Sequence, residues 1–243
     1  MEKLTREQLQ ELQEFDSPTI CNAIETFNLR PNTSGFMKPG MIPRCPISKP
    51  MVGYAATAKV SAMNPATKLN SDMLYNLYES VRETQEPVIA VIQDIDPEPV
   101  GSFWGEVQVT SFMSLGAVGT LTDGGVRDLA EAEKLGFGYF STSVLVSHAY
   151  IHVENYDCPV DVCGLTINPG DLLHADSHGV VCIPHEIAPR LAEACRKVAA
   201  AELAVLEPCR QAIASGIKPT GDQMREWRGE MIRRRKAVNI EEK

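Results

Sequence analysis

An arginine and two carboxylates stand at a suggestive spacing in the middle of this chain. Glu106 is followed by twenty residues and then by Arg127 and Asp128. Arg127 offers a planar fork of N–H donors that matches a carboxylate, and Asp128 supplies the oxygen ligands that Mg²⁺ or Mn²⁺ prefers, largely through waters. These residue types predict a site for a small anionic substrate beside a divalent cation.

The segment from Gly116 to Tyr139 has to position Arg127 and Asp128. Two glycines before the charges let the backbone approach a neighbour closely. Asp128 suits the positive end of a helix, whereas Arg127 is unfavourable there unless it meets an anion. The alternative is that Arg127 points into solvent or pairs with a nearby acid. The predicted elements are a strand over 117–121, a turn over 122–125, a helix that opens at 126–128 and ends at Gly136, and a strand over 139–143.

A second helix start is predicted just before Glu106. Ser102 is placed to cap this helix, which leaves the amides of Trp104, Gly105 and Glu106 unpaired in its first turn. Such helix ends bind anions. If both helix starts lie side by side at the ends of neighbouring parallel strands, the arginine, the carboxylates and the free amides surround one crevice.

Composition restricts the classes of function. The 243 residues have ordinary globular composition, and the net charge of -9 argues against a general nucleic-acid or anionic-membrane surface. Seven scattered cysteines without a C-x-x-C pair favour reduced thiols over a disulfide framework or a zinc site. With no apolar run long enough to span a bilayer and no signal-like N-terminus, we expect a cytoplasmic protein without membrane or nucleic-acid partners.

The combined motifs resemble those of a known family. G-E, twenty residues and R-D occur within WGE and GAVGTLTDGGVRD, and INPGDLLHADSHGVVCIP follows. This set is similar to the RraA-like family, which includes class II 4-hydroxy-4-methyl-2-oxoglutarate / 4-carboxy-4-hydroxy-2-oxoadipate aldolases and the regulator of ribonuclease E activity. The resemblance implies an α/β fold of the β/β/α swivelling, phosphohistidine-domain-like type, with extra N- and C-terminal helices. It also implies homotrimers or hexamers with active sites between subunits.

The resemblance further implies roles for the site residues. Arg127 would bind the carboxylate of a pyruvate moiety, and Asp128 would anchor Mg²⁺ or Mn²⁺. Glu106 stands where the aldolases typically have aspartate, and its additional methylene moves the carboxylate by about 1 Å. The substrate would also contact the backbone amides of Gly105, Glu106, Val107 and Gln108.

A neighbouring subunit would complete the site with an acid from its C-terminal helix, and Glu202 and Glu207 are both candidates. That helix is predicted over 187–215, and Pro208 is expected to kink or split it. Near the N-terminus, Thr5 and Gln8 form a capping-box pattern. The expected organisation is an N-terminal helical extension (1–16), an RraA-like catalytic domain (17–217) and a C-terminal helical tail (218–243).

Two functions from different classes are consistent with this resemblance. The first is a metal-dependent lyase that cleaves a pyruvate-derived hydroxy-oxo diacid by retro-aldol chemistry, with oxaloacetate decarboxylation through the same enolate as a side activity. The second is a non-catalytic regulator that binds a ribonuclease. The chain contains no glycine-rich nucleotide-binding motif to support a nucleotide as substrate.

Overall fold

The chain forms two compact units, formed by Met1–Thr33 with Glu186–Lys243 and by Ser34–His185. The computed structural model describes residues 3–238, and the outer ends of both predicted extensions, residues 1–2 and 239–243, lie outside the described residues. The predicted boundaries at 16/17 and 217/218 stay predictions. All the candidate residues around Glu106, Arg127 and Asp128 belong to the second unit.

The second unit is built on a mixed sheet. Within residues 34–185, nine strands form this sheet: β1 (Ile42–Pro43), β2 (Met51–Ser61), β3 (Val88–Asp94), β4 (Ser102–Trp104), β5 (Ala117–Val126), β6 (Gly138–Val144), β7 (His152–Tyr156), β10 (Leu172–Asp176) and β11 (Gly179–Ile183). A separate hairpin pairs β8 (Val160–Val162) with β9 (Leu165–Ile167). The strand order is β1-β6-β5-β3-β2-β10-β11, with β4 also paired to β5 and β7 to β2. Strands β2, β3, β5 and β6 run parallel, and β4 runs parallel to β5.

Apolar side chains cover both faces of this sheet. One core packs the sheet against α3 (Met73–Glu83), α4 (Glu106–Met113) and α5 (Leu129–Leu135), and includes Trp104, Phe112 and Tyr139. The other core packs it against the β8–β9 hairpin. A short 3-10 helix, Lys68–Asn70, precedes α3. Burial on both faces explains why β3 is a continuous apolar run from Val88 to Ile92.

The central segment differs from the prediction in where its strand ends. The expected turn over 122–125 is wrong, because β5 continues to Val126, held by β4 on one side and β6 on the other. The glycine pair lies at a register shift between Thr122 and Gly125. A Cβ on Gly125 would lie 2.5 Å from the Leu145 side chain, so this close approach is to the protein itself. Helix α5 therefore begins at Leu129 rather than at 126–128, and it ends at Gly136 as predicted.

The first unit is helical. Its helices are α1 (Arg6–Leu12), α2 (Ser17–Glu25), α6 (Ala188–Ser215) and α7 (Gly221–Lys236). Helix α6 packs against the other three. The capping box of Thr5 and Gln8 is confirmed at the start of α1. Pro208 removes one backbone hydrogen bond from α6, but the helix continues through this residue and is not split.

The cysteines and the hydrophobicity of the helices were also subjects of prediction. All seven cysteines are free thiols, as predicted from their scatter. None of the described helices has the length and apolar character needed to cross a bilayer.

Candidate functional site

The N-terminus of α4 supplies backbone donors to the candidate site. Gly105 is the N-cap residue of α4 and has an extended conformation. As a glycine it has no side chain to cap the helix, and Ser102 does not cap it either. The expectation that Ser102 caps a helix is wrong, because Ser102 lies in β4 and its hydroxyl contacts the backbone carbonyls of Trp104 and Gly125. The first-turn amides of Val107 and Gln108 thus carry the positive end of the helix dipole without a side-chain cap.

Asp128 caps this helix from a distant part of the sequence. Its Oδ2 accepts a hydrogen bond of 2.9 Å from the backbone N–H of Glu106. Because β4 and β5 are adjacent and parallel, the residues that follow them, Glu106 and Asp128, meet at the same edge of the sheet. The predicted juxtaposition of two helix starts is therefore present, and the two residues are joined by a bond that spacing alone did not predict.

The backbone of Asp128 is strained. Its φ of 55° and ψ of 47° lie in the left-handed region, which costs a non-glycine residue about 1 kcal/mol. Such a conformation persists only where the surrounding structure fixes it. Here the strain places an exposed carboxylate against the first turn of α4 instead of at the start of its own helix.

Arg127 carries a donor that the protein leaves unused. Its Nε is buried and has no hydrogen-bond partner among residues 3–238, while its backbone N–H donates to the Trp104 carbonyl at 3.1 Å. A buried donor without an acceptor costs about 1 to 3 kcal/mol. An anionic ligand beside the guanidinium would give this donor an acceptor.

Gly105 allows these groups to lie close together. A Cβ at this position would lie 2.7 Å from Oδ2 of Asp128 and 3.1 Å from Nε of Arg127. The backbone of Gly105 thus forms one wall of the site, against both charged side chains. Only glycine leaves room for this approach.

The other predicted residues lie on α4. Glu106 and Val107 are exposed at its first turn, and Gln108 is half-buried. The Oε1 of Gln108 accepts a hydrogen bond of 2.6 Å from the hydroxyl of Tyr78, whose pKa is raised by burial. Glu202 and Glu207 belong to α6, in the other unit, and Glu202 accepts a weak hydrogen bond from Asn22.

The residues present fit a hard divalent cation bound mainly by water. Within residues 3–238 no group of three or more His, Cys, Asp or Glu side chains is arranged to hold a metal. Mg²⁺ is often bound through one or two carboxylates together with waters and substrate oxygens, and the exposed carboxylate of Asp128 is compatible with this mode of binding. Oδ2 of Asp128 is engaged by the Glu106 amide, which leaves Oδ1 as the atom that would hold the ion.

The sequence predicted no role for Tyr139, which contacts the backbone of Arg127, or for Asp123, which lies earlier in β5. The hydroxyl of Tyr139, in β6, donates to the Arg127 carbonyl at 2.9 Å. Asp123, in β5, accepts the backbone N–H of Asp94 at 2.8 Å. The available signal was chemical: a tyrosine in an apolar strand and an aspartate in a buried one both need a hydrogen-bond partner.

Taken together, the fold and the site define an α/β protein in which an arginine–aspartate turn faces a helix N-terminus at the ends of parallel strands. The sequence profile of the RraA-like family, described as Aldolase/RraA, matches residues 17–182. The chain therefore belongs to the RraA-like family. The expected α/β fold of that family is also confirmed.

Two curated proteins are similar to parts of this chain. Protein DlpA of Legionella pneumophila subsp. pneumophila is 34% identical over 125 residues, which are 51% of this chain and 19% of DlpA. A Halalkalibacterium halodurans protein named "Putative 4-hydroxy-4-methyl-2-oxoglutarate aldolase" is 26% identical over 135 residues, 55% of this chain and 60% of that protein. Both matches span less than two thirds of the relative's length.

A solved structure supports the fold. RraAS2 of Streptomyces coelicolor, described as an unusual member of the RNase ES inhibitor RraA protein family, superimposes with a TM-score of 0.63 at 24% identity. The superposition covers 79% of this chain and 92% of RraAS2. At this identity the similarity establishes a shared fold.

Proposed function

We propose that this protein is a divalent-metal-dependent lyase. It would cleave a C–C bond in a pyruvate-derived hydroxy-oxo diacid of the 4-hydroxy-4-methyl-2-oxoglutarate type, and would decarboxylate oxaloacetate through the same enolate. The observation that carries the proposal is the buried Nε of Arg127, which has no hydrogen-bond partner among residues 3–238 and lies close to Gly105, the N-cap of α4, as does the carboxylate of Asp128. A substrate carboxylate is the acceptor that a guanidinium pairs with best.

Arg127 and the start of α4 would bind the pyruvate part of the substrate. The guanidinium takes the carboxylate, and the amides of Val107 and Gln108 donate to the neighbouring 2-oxo oxygen. That oxygen becomes the enolate oxygen when the C–C bond breaks. Donors fixed in a helix need no reorganisation as the negative charge develops, so they stabilise the transition state more than the ground state.

Asp128 would hold Mg²⁺ or Mn²⁺ through Oδ1. The bound ion would supply positive charge that stabilises the enolate. The hydrogen bond from Glu106 N–H fixes the other carboxylate oxygen, so the side chain is oriented before any ion binds. The support for this assignment is the donor chemistry of Asp128 and its membership of the family's R-D motif.

Glu106 would assist deprotonation of the substrate hydroxyl through a water. Its carboxylate is exposed at the first turn of α4 and orients a water that accepts this proton. The bond next to the hydroxyl-bearing carbon then breaks, its electron pair forms the enolate of pyruvate, and the second carbonyl product leaves. Return of a proton to the enolate carbon gives pyruvate. With oxaloacetate, the fragment that leaves is CO₂.

The proposal is tested by pyruvate release from oxaloacetate and from 4-hydroxy-4-methyl-2-oxoglutarate. We expect release with Mg²⁺ or Mn²⁺ and none with EDTA. Arg127→Ala and Asp128→Asn should each lower kcat/KM by about 10²-fold or more, because each removes charge stabilisation of the enolate. The matched control is Asp72→Asn, an exposed aspartate at the start of α3 that makes no capping bond, and it should retain full activity.

Two outcomes would contradict the proposal. Unchanged activity of both site variants would mean that the site is elsewhere. Folded wild-type protein that releases no pyruvate from either compound with metal present would favour the ribonuclease-binding regulator, and binding to a ribonuclease would then be measured.

A further inference from the structure

Tyr139 lies beneath the arginine–aspartate turn. It is the second residue of β6, its side chain is 1% exposed, and it belongs to the core that contains Trp104. The aromatic ring is packed edge-on to Phe137. Its hydroxyl donates to the backbone carbonyl of Arg127 at 2.9 Å. Burial raises the pKa of this hydroxyl, so it stays protonated and remains a donor at neutral pH.

This bond fixes the second polar group of the Arg127 backbone. The N–H of Arg127 already donates to the Trp104 carbonyl. The carbonyl held by Tyr139 belongs to the same planar peptide as the nitrogen of Asp128, so its orientation sets the φ angle of Asp128. That angle is 55°, in the region that L residues avoid. A strained angle of this kind requires a restraint, and the bond from Tyr139 acts on the peptide that defines it.

The orientation of two side chains depends on this peptide. Arg127 precedes it with its buried Nε, and Asp128 follows it with the carboxylate that meets the Glu106 amide. We propose that Tyr139 is a positioning residue that holds the Arg127–Asp128 turn in the geometry that binds the metal and the substrate carboxylate. This inference rests on the proposed function. Tyr139 itself touches neither ligand and acts through the turn.

The decisive variant is Tyr139→Phe, which keeps the ring in the core and removes only the hydroxyl. Its matched control is Thr120→Val. Thr120 is the direct neighbour of Tyr139 across β5 and β6, is also fully buried, and also donates to a backbone carbonyl, that of Ala90 at 2.8 Å. Each variant removes one buried hydroxyl that donates to a backbone carbonyl, but only Tyr139→Phe acts on the site.

The readout is Mn²⁺ affinity without substrate, measured by electron paramagnetic resonance, together with urea unfolding and the kinetics of pyruvate release. Tyr139→Phe should bind Mn²⁺ about 10-fold more weakly, since removal of a group that orients a ligand typically costs 10- to 100-fold. It should also raise KM for oxaloacetate. Thr120→Val should be destabilised to a similar extent yet bind Mn²⁺ like the wild type. Asp128→Asn serves as the reference and should lose Mn²⁺ binding.

Each failure has its own signature. If Asp128→Asn loses Mn²⁺ and Tyr139→Phe binds it like the wild type, the positioning role is wrong and the proposed function stands. If Thr120→Val weakens Mn²⁺ binding as much as Tyr139→Phe does, the effect is general destabilisation and the inference is overturned. If Asp128→Asn keeps the affinity of the wild type, the metal site itself is wrong, and the proposed function fails together with the inference.

Discussion

Gly105 occupies a position where any side chain would displace both charged groups of the site. The Cβ of an alanine would lie 2.7 Å from Oδ2 of Asp128 and 3.1 Å from Nε of Arg127. The Asp128 side chain is exposed and can swing away, so the fold should tolerate the change while the site does not. A substitution of Gly105 therefore tests whether activity depends on the observed positions of Asp128 and Arg127.

We expect Gly105→Ala to lower kcat/KM for pyruvate release by about 10²-fold, because displacement of a catalytic group by about 1 Å costs roughly this factor. Steady-state kinetics and the urea midpoint measure the two effects separately. The control is Gly221→Ala, at the first position of α7 with open space around it, which should leave activity unchanged. Full activity in Gly105→Ala would show that Asp128 need not occupy its observed position.

At the scale of elements, a hydrogen bond to an aspartate side chain joins the C-terminal end of β3 to the middle of β5. Oδ1 of Asp123 accepts the N–H of Asp94, whose own Oδ2 is buried without a partner among the described residues. Burial raises the pKa of Asp123 to about 6, and the charges of Asp94 and Asp161 add to the effect. Burial also raises the pKa of Asp94. The two strands thus meet where ionisation is unfavourable.

This contact predicts a pH-dependent stability. Because the pKa of Asp123 is higher in the folded than in the unfolded state, its stabilising contribution is present below about pH 4 and is lost as the pH rises through about 6. Asp123→Asn keeps the acceptor for Asp94 N–H without the charge. We expect the variant to be more stable than the wild type by about 1 to 3 kcal/mol at pH 7, with little difference at pH 4.

Urea unfolding of both proteins between pH 4 and pH 7 measures this difference. Asp222→Asn, which changes an exposed aspartate of α7, serves as the control and should show no such trend. A stability difference that is the same at pH 4 and pH 7 would mean that Asp123 does not titrate in this range.

At the scale of the whole molecule, the family resemblance predicts homotrimers or hexamers with sites completed by a neighbouring subunit. We expect sedimentation equilibrium to give three or six times the chain mass of 26.7 kDa. A monomeric mass would rule out this assembly. The acid from the neighbour would be Glu202 or Glu207, both on α6.

Mixed assemblies provide a sharper test of shared sites. Arg127→Ala and Glu207→Gln, or Arg127→Ala and Glu202→Gln, would be unfolded and refolded together. If a site uses Arg127 from one subunit and the glutamate from another, some mixed sites contain both wild-type residues and activity returns. If each site lies within one subunit, every site lacks either Arg127 or the glutamate. The mixture then stays as inactive as each variant alone.

Local patterns in the sequence determined where several helices begin and end and which residues form the candidate site. The sequence predicted that Glu106 and Asp128 stand at two neighbouring helix starts, that α5 ends at Gly136, and that Thr5 with Gln8 caps the start of α1. These features follow from backbone preferences, hydrophobic periodicity and capping, which act over a few residues. The family motifs carried the identification further than the periodicity did.

Only the tertiary structure decided how the site is held. Pairing with β4 and β6 extended β5 through its predicted turn, so that Asp128 precedes α5 and caps α4 instead. The same pairing placed the hydroxyl of Tyr139 against the Arg127 carbonyl, and the Nε of Arg127 is buried without a partner among residues 3–238. The contacts of Asp128 and Tyr139 join separate segments of the chain through strand register, which local propensity does not encode.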